Sequence, residues 1–106
     1  MRVALLCGDS TEVMLMWTDG QLWEFAGRDM AIHKQWNNYR GEFYDDTYCL
    51  TDVKTGRTVA NGYKTIGGLK RAMKRKEQGF ADMFERNEET MAMYEALLQL
   101  LIERDL

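Results

Sequence analysis

Proline is absent from this chain and histidine occurs once, at His33. With no proline and no low-complexity or Gly/Ser-rich stretch, nothing in the sequence reads as a linker, and residues 1–106 are expected to form a single domain. Only two cysteines are present, Cys7 and Cys49, too few for a disulfide scaffold and without metal-type spacing. They are therefore expected to be reduced, half-buried thiols, which fits a cytoplasmic protein. Long apolar runs are missing as well: Ala96 to Ile102 is interrupted by Gln99 and bounded by Glu95 and Glu103, well short of the ~18 residues of a membrane span. After Arg2 the apolar run Val3 to Leu6 gives way to Cys7, Gly8 and Asp9, too short for a secretory h-region.

What is present supports a folded core. Hydrophobic residues make up 45% of the chain and aromatics 11%, unlike the low-hydrophobicity, high-charge signature of disorder. The net charge of -3 conceals a segregation. Residues 1–63 carry nine acids and six bases, residues 64–76 carry six bases and no acid, and residues 77–106 carry eight acids and two bases. A positive ridge beside an acidic C-terminal arm can meet partners of either sign.

The pattern predicts an α+β fold: an antiparallel sheet built from two hairpins, a short middle helix, and two C-terminal helices or one long bent helix. Val3 to Leu6 and Glu12 to Trp17 are apolar enough for strands, the second buried on both faces. Asp19-Gly20 has the chemistry of a tight hairpin turn leading into Leu22 to Ala26, with Trp23 and Phe25 sharing a face. After Gly27, Asp29 is placed to cap a short helix in which Ile32, Trp36 and Tyr39 recur at steps of four and three before Gly41. Phe43 to Val53 and Thr58 to Tyr63, joined through Lys54-Thr55-Gly56, form the clearest strand pair.

From Thr65, a capping hydroxyl, the period becomes helical through Ile66, Leu69, Met73, Phe80, Met83 and Phe84, with Gly79 the expected kink. Asn87 is placed to cap a last helix whose first turn holds Glu88 and Glu89. Its apolar residues Met91, Tyr94, Leu97, Leu98, Leu101 and Ile102 make a wide face that the sheet or a second copy must cover. A homodimer through the C-terminal helix is thus one expectation.

Several clusters hold residue types capable of chemistry. If Leu69, Ala72 and Met73 face inward, Lys70, Arg71, Lys74 and Arg75 form two i,i+4 rows suited to phosphate, against the plainer reading of a solvated helix face. Trp36, Tyr39, Phe43 and Tyr44 around Asn37, Asn38 and Arg40 carry the aromatic, amide and arginine mix of recognition hot spots, against plain packing over a sheet edge. Asp45-Asp46 lacks the spaced oxygens of a calcium loop and reads as an acidic contact patch. His33 has no second ligand at metal spacing, and Cys7 with His33 makes a nucleophile–base pair only if the fold joins them. Gly62-Tyr63-Lys64-Thr65 fails as a phosphate loop because Tyr63 replaces the required glycine. Met14, Met16, Met73, Met83, Met91 and Met93 are core by base rate, though thioethers also suit adaptable contacts. No catalytic residue, metal or cofactor is expected, and the chain reads as a non-enzymatic protein.

The segment LTDVKTGRTVANGYKTIGGLKRAMKRK, Leu50 to Lys76, resembles a strand, glycine turn, strand, helix module of small phage and mobile-element proteins. Its compact size and mixed charge are similar to small phage inhibitors of host defence, the anti-CRISPR proteins among them. The resemblance implies a phage-encoded inhibitor or adaptor that binds a host protein or nucleoprotein complex such as a CRISPR effector, in the host cytoplasm. The acidic and aromatic candidates for that contact are Trp36, Tyr39, Tyr44, Asp45, Asp46, Glu88 and Glu89. The alternative is a nucleic-acid-binding accessory protein using the basic helix. Neither reading involves a membrane.

Overall fold

The computed structural model describes residues 1–8, 13–37 and 39–105. The order is β1 (Arg2–Gly8), β2 (Val13–Asp19), β3 (Gln21–Phe25), β4 (Arg28–Asn37), β5 (Glu42–Asp52), β6 (Thr58–Tyr63), α1 (Ile66–Lys74), α2 (Glu77–Arg86) and α3 (Glu88–Asp105). The fold is α+β, as its pattern predicted. The strands form two antiparallel sheets, β1-β2 and β3-β4-β5-β6.

Sheet β3-β4-β5-β6 is covered on both faces. On one, Phe25, Met30, Ile32 and Leu50 pack with Leu69, Met73 and Phe84 of α1 and α2. On the other, Ala31 packs with Val3 and Leu5 of β1. Each such large apolar side chain contributes about 1.5–3 kcal/mol when fully buried. Helix α3 leaves the helical layer and runs beside β1 and β2, where Trp17 Nε1 donates to Asp105 Oδ2 at 3.1 Å.

The middle helix of the sequence reading is a strand. Ile32 and Trp36 lie on β4, which pairs with both β3 and β5, and Tyr39 lies beyond its end. With both faces covered, Met30, Ala31, Ile32 and His33 are all buried, so the alternation that marks a strand disappears and the four-residue step imitates a helix. The β3–β4 turn has two residues at positive φ, Ala26 at 53° and Gly27 at 76°, the conformation that matches strand twist in a two-residue hairpin.

Asp19-Gly20 does not make the expected hairpin. It joins the two sheets, with Gly20 and Met1 exchanging backbone hydrogen bonds of 2.7 and 3.0 Å that continue the β1–β2 ladder. Gly20 sits at a close approach: a Cβ there would lie 3.0 Å from the Ala31 Cβ and 3.3 Å from the Ile32 carbonyl oxygen. Strand β2 is half-exposed rather than buried on both faces, and Glu12, its expected first residue, lies outside the described residues.

The β5–β6 hairpin is as predicted, and Thr65 Oγ1 caps α1 by accepting from the Gly68 amide at 2.9 Å. The C-terminal half is three helices, not two or one. The additional break falls at Arg75-Lys76, where the Lys76 amide donates to the Met73 carbonyl, and Gly79 sits inside α2. The break lets Glu77 accept from the Ala26 amide at 3.0 Å, tying α2 to the β3–β4 turn. Asn87 caps in the other direction from that expected: its Nδ2 donates to the Met83 carbonyl at the end of α2.

Asp52, 1% exposed, joins these layers. Its carboxylate accepts two bonds of 2.9 Å from the Arg28 guanidinium and bonds of 2.7 and 3.1 Å from the Thr55 hydroxyl and amide. The Arg28 pKa is raised, chiefly by the hydrogen bond to Asp52. Because a buried carboxylate pair loses more when broken than its net worth, Asp52→Asn should cost about 3 kcal/mol by urea denaturation, and a loss under about 1 kcal/mol would contradict the assignment.

Candidate functional site

Three surfaces hold the residues singled out in the sequence. The first is the far end of the β4–β5 hairpin. Strand β4 advances from Lys34 to Trp36 through Gln35 alone while β5 inserts Tyr44 to Thr47 between the paired Phe43 and Tyr48. This bulge thrusts Tyr44, Asp45 and Asp46 into solvent. Trp36 is half-buried and meets Phe43 edge to face, ring centroids 5.0 Å apart. It braces the hairpin end rather than standing free.

Asn37 Oδ1 accepts from the amides of Tyr39 and Arg40 at 3.0 and 3.3 Å, an Asx-type turn that fixes the backbone under Tyr39. Tyr39 is fully exposed, at 101%. A groove of about 600 Å³ runs between Arg40, Tyr44 and Asp45. Asp46 is 3.9 Å from Lys64, whose Nζ also donates to Thr47 Oγ1 at 3.3 Å. Asn38, part of the expected aromatic and amide cluster, lies outside the described residues.

The second surface is α1. Leu69 and Met73 are buried as expected, leaving Arg71, Lys74 and Arg75 exposed. Lys70 is only half-exposed, with Nζ 5.8 Å from the Trp23 ring centroid, so the two rows are not equally open. Lys74 pairs with Glu77 at 3.2 Å. Bonds from the Ala26 amide and then Lys74 hold the Glu77 carboxyl below its ordinary pKa. Among the described residues Arg71 and Arg75 form no ion pair, whereas Lys74 and Lys64 of the basic segment are paired with Glu77 and Asp46.

The third is the start of α3. Glu88 and Glu89 are exposed in its first turn, but that turn follows the end of α2, whose Phe84 lies at Arg28, at the opposite end of β4 from Asn37. The acidic candidates therefore occupy two separate regions.

One buried constellation was missed in the sequence. His33 Nδ1 donates to the Lys34 carbonyl at 2.8 Å, which leaves Nε2 to accept from Thr51 Oγ1 at 2.7 Å. Thr58 then donates to Thr51 at 3.1 Å. The sulfur against the ring is that of Cys49, 3.4 and 3.5 Å from the two nitrogens, and not Cys7. Burial pushes the Cys49 thiol up to about 12, with a smaller contribution from Cys7, and pushes His33 down despite the Lys34 carbonyl. Both groups are held neutral, the reverse of the thiolate–imidazolium state an activated cysteine needs. Only strand register reveals this cluster, since His33 pairs with Cys49 across β4–β5.

Among the described residues no three His, Cys, Asp or Glu side chains are grouped to hold a metal, and no helix is long and apolar enough to cross a membrane. No protein-family model, curated protein or solved structure matches the chain.

The buried imidazole carries a pH signature. Its folded pKa lies below the ordinary value of about 6.5, so His33 contributes stability above that pH, and this is lost as pH falls toward the folded pKa. As the chain's one histidine, its ring resonances can be titrated by NMR without ambiguity. A midpoint below the unfolded value is expected, and one above it would contradict the buried neutral ring.

Proposed function

We propose that this chain is a non-enzymatic, protein-binding inhibitor or adaptor that docks the end of its β4–β5 hairpin onto a basic surface of a nucleic-acid-handling complex. The single observation that carries the reading is Tyr39, entirely exposed on a turn fixed by Asn37, beside the acidic bulge of Asp45 and Asp46. An exposed aromatic costs little side-chain entropy to immobilise, and tyrosine is enriched among residues that dominate binding energy. Carboxylates around it can stand in for phosphate charge in a basic channel and steer the encounter. The resemblance of Leu50 to Lys76 to phage proteins supplies the partner class: a host defence complex of the CRISPR-effector type, met in the host cytoplasm. Trp36 and Phe43 support the surface from beneath.

A second reading rests on Arg71 and Arg75, which are exposed and without a carboxylate partner among the described residues. They would contact phosphates, making the chain a nucleic-acid-binding accessory protein.

Affinity capture from nuclease-treated host lysate separates the two. The wild-type chain and Arg71→Glu/Arg75→Glu should retain the same partner in stoichiometric amount. Tyr39→Ala/Asp45→Lys/Asp46→Lys should bind it at least roughly thirtyfold more weakly, the scale of a hot-spot loss. Retention by the hairpin variant would refute the proposal. Salt-sensitive gel shifts of DNA or RNA abolished by Arg71→Glu/Arg75→Glu would instead establish the second reading.

A further inference from the structure

Helix α3 is apolar on two opposite sides. Leu98 is buried, with Met91, Tyr94, Leu101 and Ile102 half-buried around it, facing the rest of the chain. Across the helix Met93 is 72% exposed and Leu100 46% exposed. A helix apolar all round is normally covered all round, so the outer side has the composition of an interface.

The order of residues on that outer side identifies its occupant. At 3.6 residues per turn, Glu89, Met93, Ala96, Leu97, Leu100 and Arg104 fall within about 100° of arc. They are symmetric about the point midway between Ala96 and Leu97. Laid antiparallel on a second copy about a two-fold axis through that point, Ala96 meets Leu97, Met93 meets Leu100, and Glu89 meets Arg104. A two-fold interface demands this self-complementarity: residue i contacts j while j contacts i. Small Ala96 at the centre lets the helices approach to the usual ~8–10 Å. The outer charges are opposite in sign at both ends, and each also suits its own helix terminus, acid at the start and base at the end.

Glu89 and Arg104 are both exposed, and neither forms an ion pair within the chain among the described residues. We infer that the chain is a homodimer through antiparallel α3–α3 packing, with Met93 and Leu100 at its core and Glu89–Arg104 ion pairs closing both ends. The inference is independent of the hairpin reading, because the β4–β5 end is not part of this face. It also assigns Glu89 to self-association rather than to a foreign partner.

Sedimentation equilibrium of the full chain tests it, with circular dichroism confirming that each variant is folded. The wild type should show about twice the 12.4 kDa chain mass. Leu100→Glu should be monomeric. Glu89→Arg and Arg104→Glu should each weaken dimerisation about tenfold, because each change places like charges together at both ends, and the double charge swap should restore it. A wild type that stays monomeric up to about 200 µM, a concentration above any useful dimer affinity, would overturn the inference and leave the face to a different partner. So would a dimer in which the double swap fails to rescue the single reversals.

Discussion

The carboxylate of Asp52 is the point through which the layers of this fold are connected. It orders the β5–β6 turn by accepting from Thr55, and it draws the start of β4 to the end of β5 by accepting both nitrogens of the Arg28 fork. The turn so formed places Gly56 at φ 71°, with its carbonyl accepting from Leu6 of β1 at 2.8 Å and its Cα so close to Leu98 of α3 that a Cβ would lie 3.1 Å away. Arg28 itself lies under the ring of Phe84 from α2. Both sheets and two helices thus converge on one ion pair. Such a pair contributes little net energy compared with an apolar substitute, and its contribution is to specify the register in which the parts meet.

That arrangement also decides which residues face solvent. The Asp52 end of the large sheet is covered by α2, α3 and β1. At the opposite end Phe43 still packs toward β1 and Asn37 and Thr47 stay buried, while the bulge at Tyr44 to Thr47 turns Tyr44, Asp45 and Asp46 outward. Glu77 is drawn onto the Ala26 amide, so it screens Lys74 of the basic helix and leaves Arg71 and Arg75 in solvent. Charge segregated along the sequence is thus only partly segregated in space: Lys64 and Lys74 of the basic segment meet Asp46 and Glu77, and Glu88 and Glu89 lie apart from Asp45 and Asp46.

Legibility followed the local signals. The β5–β6 hairpin and the Thr65 cap could be read because strand alternation, turn chemistry and capping residues all agree there. Strand β4 could not, since its central position buries both faces, and Ala31, His33, Lys34 and Gln35 carry little strand preference of their own. Asp19-Gly20 has turn chemistry that non-local pairing with Met1 redirects. The break at Arg75-Lys76 has no glycine or proline to announce it, and it accompanies non-local contacts, the Glu77 bond to the Ala26 amide and the packing of Phe80 and Phe84 on the sheet. The types of Tyr39, Asp45 and Asp46 are legible as candidate contact residues, but the Asn37 turn that exposes Tyr39 and the bulge that exposes Asp45 and Asp46 depend on strand register. The His33–Cys49–Thr51 cluster is non-local in the same way.

Native-state amide exchange measured by NMR tests the role of Asp52 most directly. If the Asp52 turn joins the two sheets into one cooperative unit, the amides of Leu6, Asp52 and Gly56 should exchange only through global opening, with the same free energy as the central amides of Ile32 and Leu50. An opening energy for Leu6 or Gly56 far below that of β4 would mean that β1 and β2 detach independently, and would contradict the account.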